Sequence, residues 1–148
     1  MRSIEFCEQV YSKRWTAKEL KQLSLVWEVL AIKFFQSFIP VESSVLDIGC
    51  GFSFFLNHIK AKEKVRIDAN PSAKRYCSEE VTFIVSDDLS LRGFSDCRFD
   101  WVFVSNFLEH LDSWREVLTL LRRVKELLRP GGGYHSPAEL PCFRPRLF

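Results

Sequence analysis

A chain of 148 residues with 47% apolar content is long enough for one modest core and too short for two ordinary domains. Its formal net charge is only +2, from 21 basic and 19 acidic residues, so it lacks the basic stripe that phosphate-backbone binding requires, and nucleic acid is not an expected partner. Five cysteines, at positions 7, 50, 77, 97 and 142, form no CxxC pair and are odd in number, which argues against a zinc site and a disulfide framework and for a reducing cytosol.

The N-terminus, MRSIEFCEQVYSKRW, carries charges where a signal peptide needs an apolar core. No apolar run reaches the ~18 residues of a membrane span. A soluble, cytoplasmic chain without a membrane partner is therefore expected. Thr16-Ala17-Lys18-Glu19 is a capping-box pattern, in which the hydroxyl and the carboxylate satisfy each other's backbone donors at a helix start. Leu20, Leu23, Trp27, Leu30, Phe34 and Phe38 then recur at helical spacing until Pro40. One long amphipathic helix is expected there.

After Pro40 short apolar runs alternate with helix-like stretches. Val45 to Ile48 reads as strand, Phe54 to Lys60 as helix, Val65 to Ile67 as strand, and Ser72 to Cys77 as a short helix or turn. Thr82 to Val85 and Trp101 to Val104 read as further strands, and Asp112 or Ser113 caps a helix from Trp114 to Leu128. Strands alternating with helices imply parallel βαβ units in an α/β fold, with a sheet covered on both faces.

The stretch VLDIGCGFSFFL, residues 45–56, sets a small-residue turn between a buried strand and a helix. Gly49 and Gly51 let the backbone turn tightly and approach a ligand. Asp68 closes KVRID, 19 residues after Gly49, where an acid at the end of a second strand can accept both hydroxyls of a ribose. A dinucleotide fingerprint would need a third glycine at position 54, which is Phe54, and a pyrophosphate would meet that bulky side chain. The pattern favours an adenosine cofactor without phosphates over a nicotinamide dinucleotide.

VLDIGCGFS, RIDAN, VSDD and FDWVFVSNFLEHL, in this order and spacing, resemble the class I S-adenosylmethionine-dependent methyltransferases, and LLRPGG resembles the segment before their fifth strand. The resemblance covers roughly residues 40 to 133, with Ser53 standing where the family usually has a third glycine. It implies a Rossmann-like parallel sheet and S-adenosyl-L-methionine as cofactor. It also implies that Asp47, Gly49 and Gly51 line the methionine end, that Asp68 holds the ribose, and that Ala69 or Asn70 lies beside it. Asp87 or Asp88 would meet the adenine amino group, with a solvated turn as the alternative role for both. Ser105, Asn106 and Phe107 would border the adenosine and the methyl group.

Methyl transfer from a sulfonium is an in-line displacement with a good leaving group, so proximity and orientation supply much of the rate and a base is optional. If there is one, His110 in NFLEHL is the candidate, beside Glu109, because an imidazole titrates near neutrality. The alternative is an ordinary place in the turn after the fourth strand. SNFLEH is not the Pro-Pro-aromatic turn that resembles adenine methylases, so a small-molecule hydroxyl or carboxyl acceptor is expected. The segment YSKRWTAKEL resembles the family's N-terminal lid, with Tyr11, Arg14 and Trp15 placed to close the pocket.

The family continues after RPGG with an apolar fifth strand, a helix and a further strand pair, in sheet order 3-2-1-4-5-7-6. Here GYHSPAELPCFRPRLF brings three prolines and several charges, a composition that cannot pair centrally in a parallel sheet. The expectation is one domain, 1–133, made of a helical lid (1–40) and a core (41–133), with sheet order 3-2-1-4 and an irregular tail at 134–148. Strand four would be an exposed edge, and the chain a truncated or frame-shifted family member. Two functions follow from the resemblance: an active methyltransferase, or a truncated, non-catalytic module that binds S-adenosylmethionine or adenosine compounds.

Overall fold

A computed structural model describes residues 15–135. Tyr11 and Arg14 of the expected lid, Cys7, Cys142 and the tail beyond position 135 lie outside the described residues. Helix α1 (Ala17–Val29) starts at the expected capping box: the Thr16 hydroxyl accepts from the Glu19 N–H at 3.3 Å, and the Glu19 carboxylate accepts from the Thr16 N–H at 2.7 Å. It does not run unbroken to Pro40 as the sequence suggests. The backbone widens into a π-helical turn at Leu30–Phe34 and tightens into a 3-10 turn at Phe35–Ser37. This change of pitch accompanies the packing of Ala31 and Phe35, both buried, against the sheet, whereas no residue of α1 itself is buried.

The strands are β1 (Ser44–Ile48), β2 (Glu63–Asp68), β3 (Thr82–Val85), β4 (Phe99–Val104) and β5 (Leu128–His135), all parallel, in the order β3-β2-β1-β4-β5. Every residue of β1 is buried, which is why it reads as an unbroken apolar run around Asp47. Alternation along the strands feeds two cores. Leu46, Ile48, Val102 and Val104 pack with Leu120, Val124 and Leu127 of helix α3 (Trp114–Leu127), whose N-cap is Ser113. On the other face Val45 and Phe103 pack with Phe55 and Leu56 of the short helix α2 (Phe54–His58) and with Ala31 and Phe35. The Phe55 and Phe103 rings stack at 3.9 Å, and Phe35 meets both edge-on.

The fifth strand corrects the expected order of 3-2-1-4: β4 is paired on both sides and is not an edge. Pro130 and Gly131 look like a stop in the sequence, but they lie in an irregularity, not a terminus. Phe99 pairs with Leu128 and Trp101 with Gly133, so residues 129–132 bulge opposite Asp100. The Arg129 guanidinium anchors the bulge to both carboxylate oxygens of Asp100, at 2.9 and 2.8 Å. Pairing then resumes where side chains are absent. A Cβ on Gly132 would stand 2.7 Å from the Asp100 carbonyl oxygen, and one on Gly133 would overlap the Trp101 ring. Among the described residues, no helix is long and apolar enough to cross a membrane.

Candidate cofactor site

The strand order reverses between β1 and β4, and the loops leaving the carboxyl ends of β1, β2 and β4 meet at that switch point. The first of these loops, residues 49–53, is held in an unusual shape. Gly49, Gly51 and Ser53 all have positive φ, at 69°, 49° and 61°. Glycine meets this conformation at no steric cost, whereas for serine it is strained. Asn106, two residues past the end of β4, also has positive φ, at 50°.

Asp47 ends up buried, 2% exposed, and no hydrogen bond to its carboxylate is present among the described residues. Burial pushes its carboxyl up to about 7, with the Arg66 guanidinium opposing the rise and the Asp68 charge adding to it. Asp68, also buried, is pinned at both oxygens: Oδ2 accepts from the Gly51 N–H at 2.9 Å and Oδ1 from the Asn70 N–H at 2.8 Å. Oδ2 accepts a second time, from the Cys50 thiol at 3.8 Å, so the acceptor capacity left for a ribose hydroxyl lies chiefly at Oδ1. Ala69 lies between, half-buried, and buried Asn70 turns the chain by accepting from the Ser72 N–H.

Phe107 brings the β4 end onto the glycine turn. A Cβ at Gly49 would fall inside the Phe107 ring's van der Waals envelope, so the bare glycine at this position accommodates a protein ring. Ser105, two residues before it, has a buried hydroxyl with no hydrogen-bond partner among the described residues. His110 sits exposed at the end of the 3-10 turn Leu108–His110, its N–H bonded to the Phe107 carbonyl.

The two acids after β3 separate in role. Asp88 is used locally: its carboxylate accepts from the N–H and the hydroxyl of Ser90, at 2.9 and 2.5 Å, and from Arg92 at 3.2 Å. The Ser90 hydrogen bonds hold its carboxyl down at about 2. Asp87 is exposed.

One residue escaped the sequence reading. Arg66 of β2 is fully buried, in register with Asp47, and its guanidinium donates to Cys50, Gly51, Ser53 and Ala73. A cation inside KVRID looks like a solvated strand residue, and only the folded turn reveals its acceptors. Cys50, against Arg66 and near Asp68, has its thiol pushed well above its ordinary value, mainly by burial.

An S-adenosyl donor fits these groups. The Ser53 hydroxyl that would serve a phosphate at a helix start is engaged by Arg66, Phe54 fills the third glycine position, and what faces the turn is the buried Asp47 carboxylate and the Ser105 hydroxyl, which has no partner among the described residues. Such a donor set suits a cationic, hydroxyl-bearing ligand better than a pyrophosphate.

An open parallel sheet with a glycine turn closing β1 and an acid closing β2 defines the Rossmann-like, adenosine-binding class. The chain belongs to the methyltransferase-domain family, whose model, described as "Methyltransferase domain", matches residues 46–135. A search of curated proteins found no match. Among solved structures it is similar to phosphoethanolamine N-methyltransferase 1 of Haemonchus contortus, at 20% identity and TM-score 0.71 over 89% of this chain and 30% of that one. The PH0226 protein of Pyrococcus horikoshii is similar at 25% identity and TM-score 0.64, over 86% and 61%. A SAM-dependent methyltransferase of Archaeoglobus fulgidus is similar at 24% and 0.60, over 84% and 53%. The chain thus spans between 30% and 61% of the length of these proteins.

Proposed function

We propose that the chain binds S-adenosyl-L-methionine and transfers its methyl group to a small-molecule acceptor through a nucleophilic oxygen. The observation that carries the proposal is the buried Asp47 carboxylate beside a left-handed glycine turn, in a family of methyltransferase domains. Arg66 offsets the burial of this carboxylate only in part, so a cationic ligand group would be favoured beside it. When bound, the donor supplies an electrophilic methyl on a positively charged sulfur. Asp47, with Gly49 and Gly51, would hold the amino-acid end, and Asp68 the ribose hydroxyls, flanked by Ala69 and Asn70. Asp87, free of the Asx turn that occupies Asp88, would take the adenine amino group. Ser105, Asn106 and Phe107 would border the adenosine and the methyl, Ser105 with its spare hydroxyl and Phe107 excluding water.

His110 would receive the acceptor's proton. It closes the 3-10 turn in the loop after β4 and is exposed, as a base serving an external substrate must be. Residues 1–133 would form one domain, acting as a cytosolic protein; Cys50, Cys77 and Cys97 are free thiols in keeping with a reducing compartment.

Asp47 makes donor binding pH-dependent. With its carboxyl near 7, the ionised fraction rises about tenfold between pH 6 and pH 8, so affinity for a cationic donor rises by up to about that factor over the same interval. The activity itself is tested with methyl-labelled donor and a panel of hydroxyl and carboxyl acceptors. Labelled product whose formation falls sharply in His110→Ala is expected. Donor binding with no transfer to any acceptor would leave the non-catalytic module as the function.

A further inference from the structure

We propose that Arg66 is a positioning residue that holds the 49–53 turn in its ligand-ready shape. The proposal deepens the donor-binding function above and rests on it for its ligand. Arg66 is 0% exposed and spends its guanidinium on the turn. Nε donates to Cys50 Sγ at 3.0 Å, Nη1 to the Ser53 hydroxyl, and Nη2 to the Gly51 carbonyl at 3.2 Å and the Ala73 carbonyl at 3.0 Å. The Phe83 ring covers the guanidinium at 4.6 Å.

Three residues of this five-residue turn have positive φ, one of them a serine, and such a backbone persists only when its surroundings over-determine it. Arg66 and Asp68 supply that determination from two sides. Asp68 Oδ2 takes the Gly51 N–H and Arg66 takes the Gly51 carbonyl, so one residue is gripped at both of its backbone polar groups. The same guanidinium reaches across to Ala73 in the 3-10 turn after β2, tying the glycine turn to the segment that follows the ribose acid.

A merely space-filling role does not account for this choice. The neighbours Val65 and Ile67 show that β2 accepts apolar residues, and a buried ion is often replaceable by one without loss of stability. The planar guanidinium, however, reaches four acceptors in fixed directions, a geometry that a lysine ammonium does not reproduce.

The test uses the full chain as Arg66→Met, Arg66→Lys and Ser53→Ala. Amide exchange is followed at Gly51 and Ser53, whose N–H groups bond to Asp68 and to the Cys50 carbonyl, with the amides of β1 and β4 as reference. In Arg66→Met, exchange at the two turn amides should accelerate about tenfold or more while the strands keep their protection, and calorimetry should show the dissociation constant for S-adenosylmethionine raised about tenfold, as expected for losing hydrogen bonds to a charged group. Arg66→Lys should fall between. Acceleration spread evenly through the sheet, or unchanged turn protection in a folded variant, would overturn the proposal. Should Arg66→Met not fold, Ser53→Ala decides: a shift of about threefold in turn exchange is expected from the loss of one contact, and no shift would overturn the proposal. Failure of the unsubstituted chain to bind the donor would refute the function instead, and the turn exchange would still judge Arg66.

Discussion

Asp47 offers a prediction whose size can be worked out in advance. Burial lifts its carboxyl from an ordinary 3.8 to about 7 in the folded chain, so the native state binds a proton more tightly than the unfolded one. Below pH 4 both states hold the proton and nothing is lost. Between pH 4 and 7 the unfolded chain has released a proton that the folded chain retains, and stability falls with rising pH by ~1.4 kcal/mol per unit. Above 7 the loss is complete, at roughly 4 kcal/mol over about three units. Asp47→Asn preserves shape and removes the titration, while Asp68 remains to balance Arg66. Urea unfolding of both proteins from pH 4.5 to 8.5 measures the difference. The variant's advantage should grow across that range and level off above pH 7. Parallel curves, or an advantage of the variant that shrinks as pH rises, would refute the claim that burial raises the Asp47 carboxyl.

Gly49→Ala should destabilise by more than 1 kcal/mol, because the position has φ 69° and the new methyl would strike the Phe107 ring; thermal melts against the parent check this. Asp68→Ala should weaken S-adenosylmethionine binding by about 1–3 kcal/mol through lost hydrogen bonds to the ribose, measured by calorimetry; unchanged affinity would remove Asp68 from the site. Phe103→Ala should cost about 3–5 kcal/mol in urea unfolding, since its ring is buried against Phe55, Phe35 and Trp27 at the centre of one core.

The first four strands were legible because a parallel sheet covered on both faces leaves short apolar runs between helix-like stretches, and β1, buried on every residue, is the clearest of them. The capping box of α1 was legible because caps are local chemistry, and the cap of α3 was legible to within Asp112 or Ser113, of which the structure uses Ser113. The fifth strand was not. Its pairing depends on Gly132 and Gly133 lying against Asp100 and Trp101, a close approach that has no signature in hydrophobic pattern, and its proline falls in the bulge. The π-helical turn at Leu30–Phe34 was hidden for a related reason: spacing suggests a face but not the pitch that delivers it. At the site, the glycines and Asp68 stood out by residue type and spacing. Arg66 did not, because its purpose lies in backbone carbonyls and side chains of a turn 13 to 16 residues earlier in the chain.

The central claim is that an acid-lined glycine turn takes an adenosine donor without phosphates. Calorimetric titration of the full chain at pH 8 with S-adenosylmethionine and, in parallel, with NAD tests it most directly. The structure predicts saturable, one-site binding of S-adenosylmethionine and none of NAD. Saturable binding of NAD with no response to S-adenosylmethionine would contradict it.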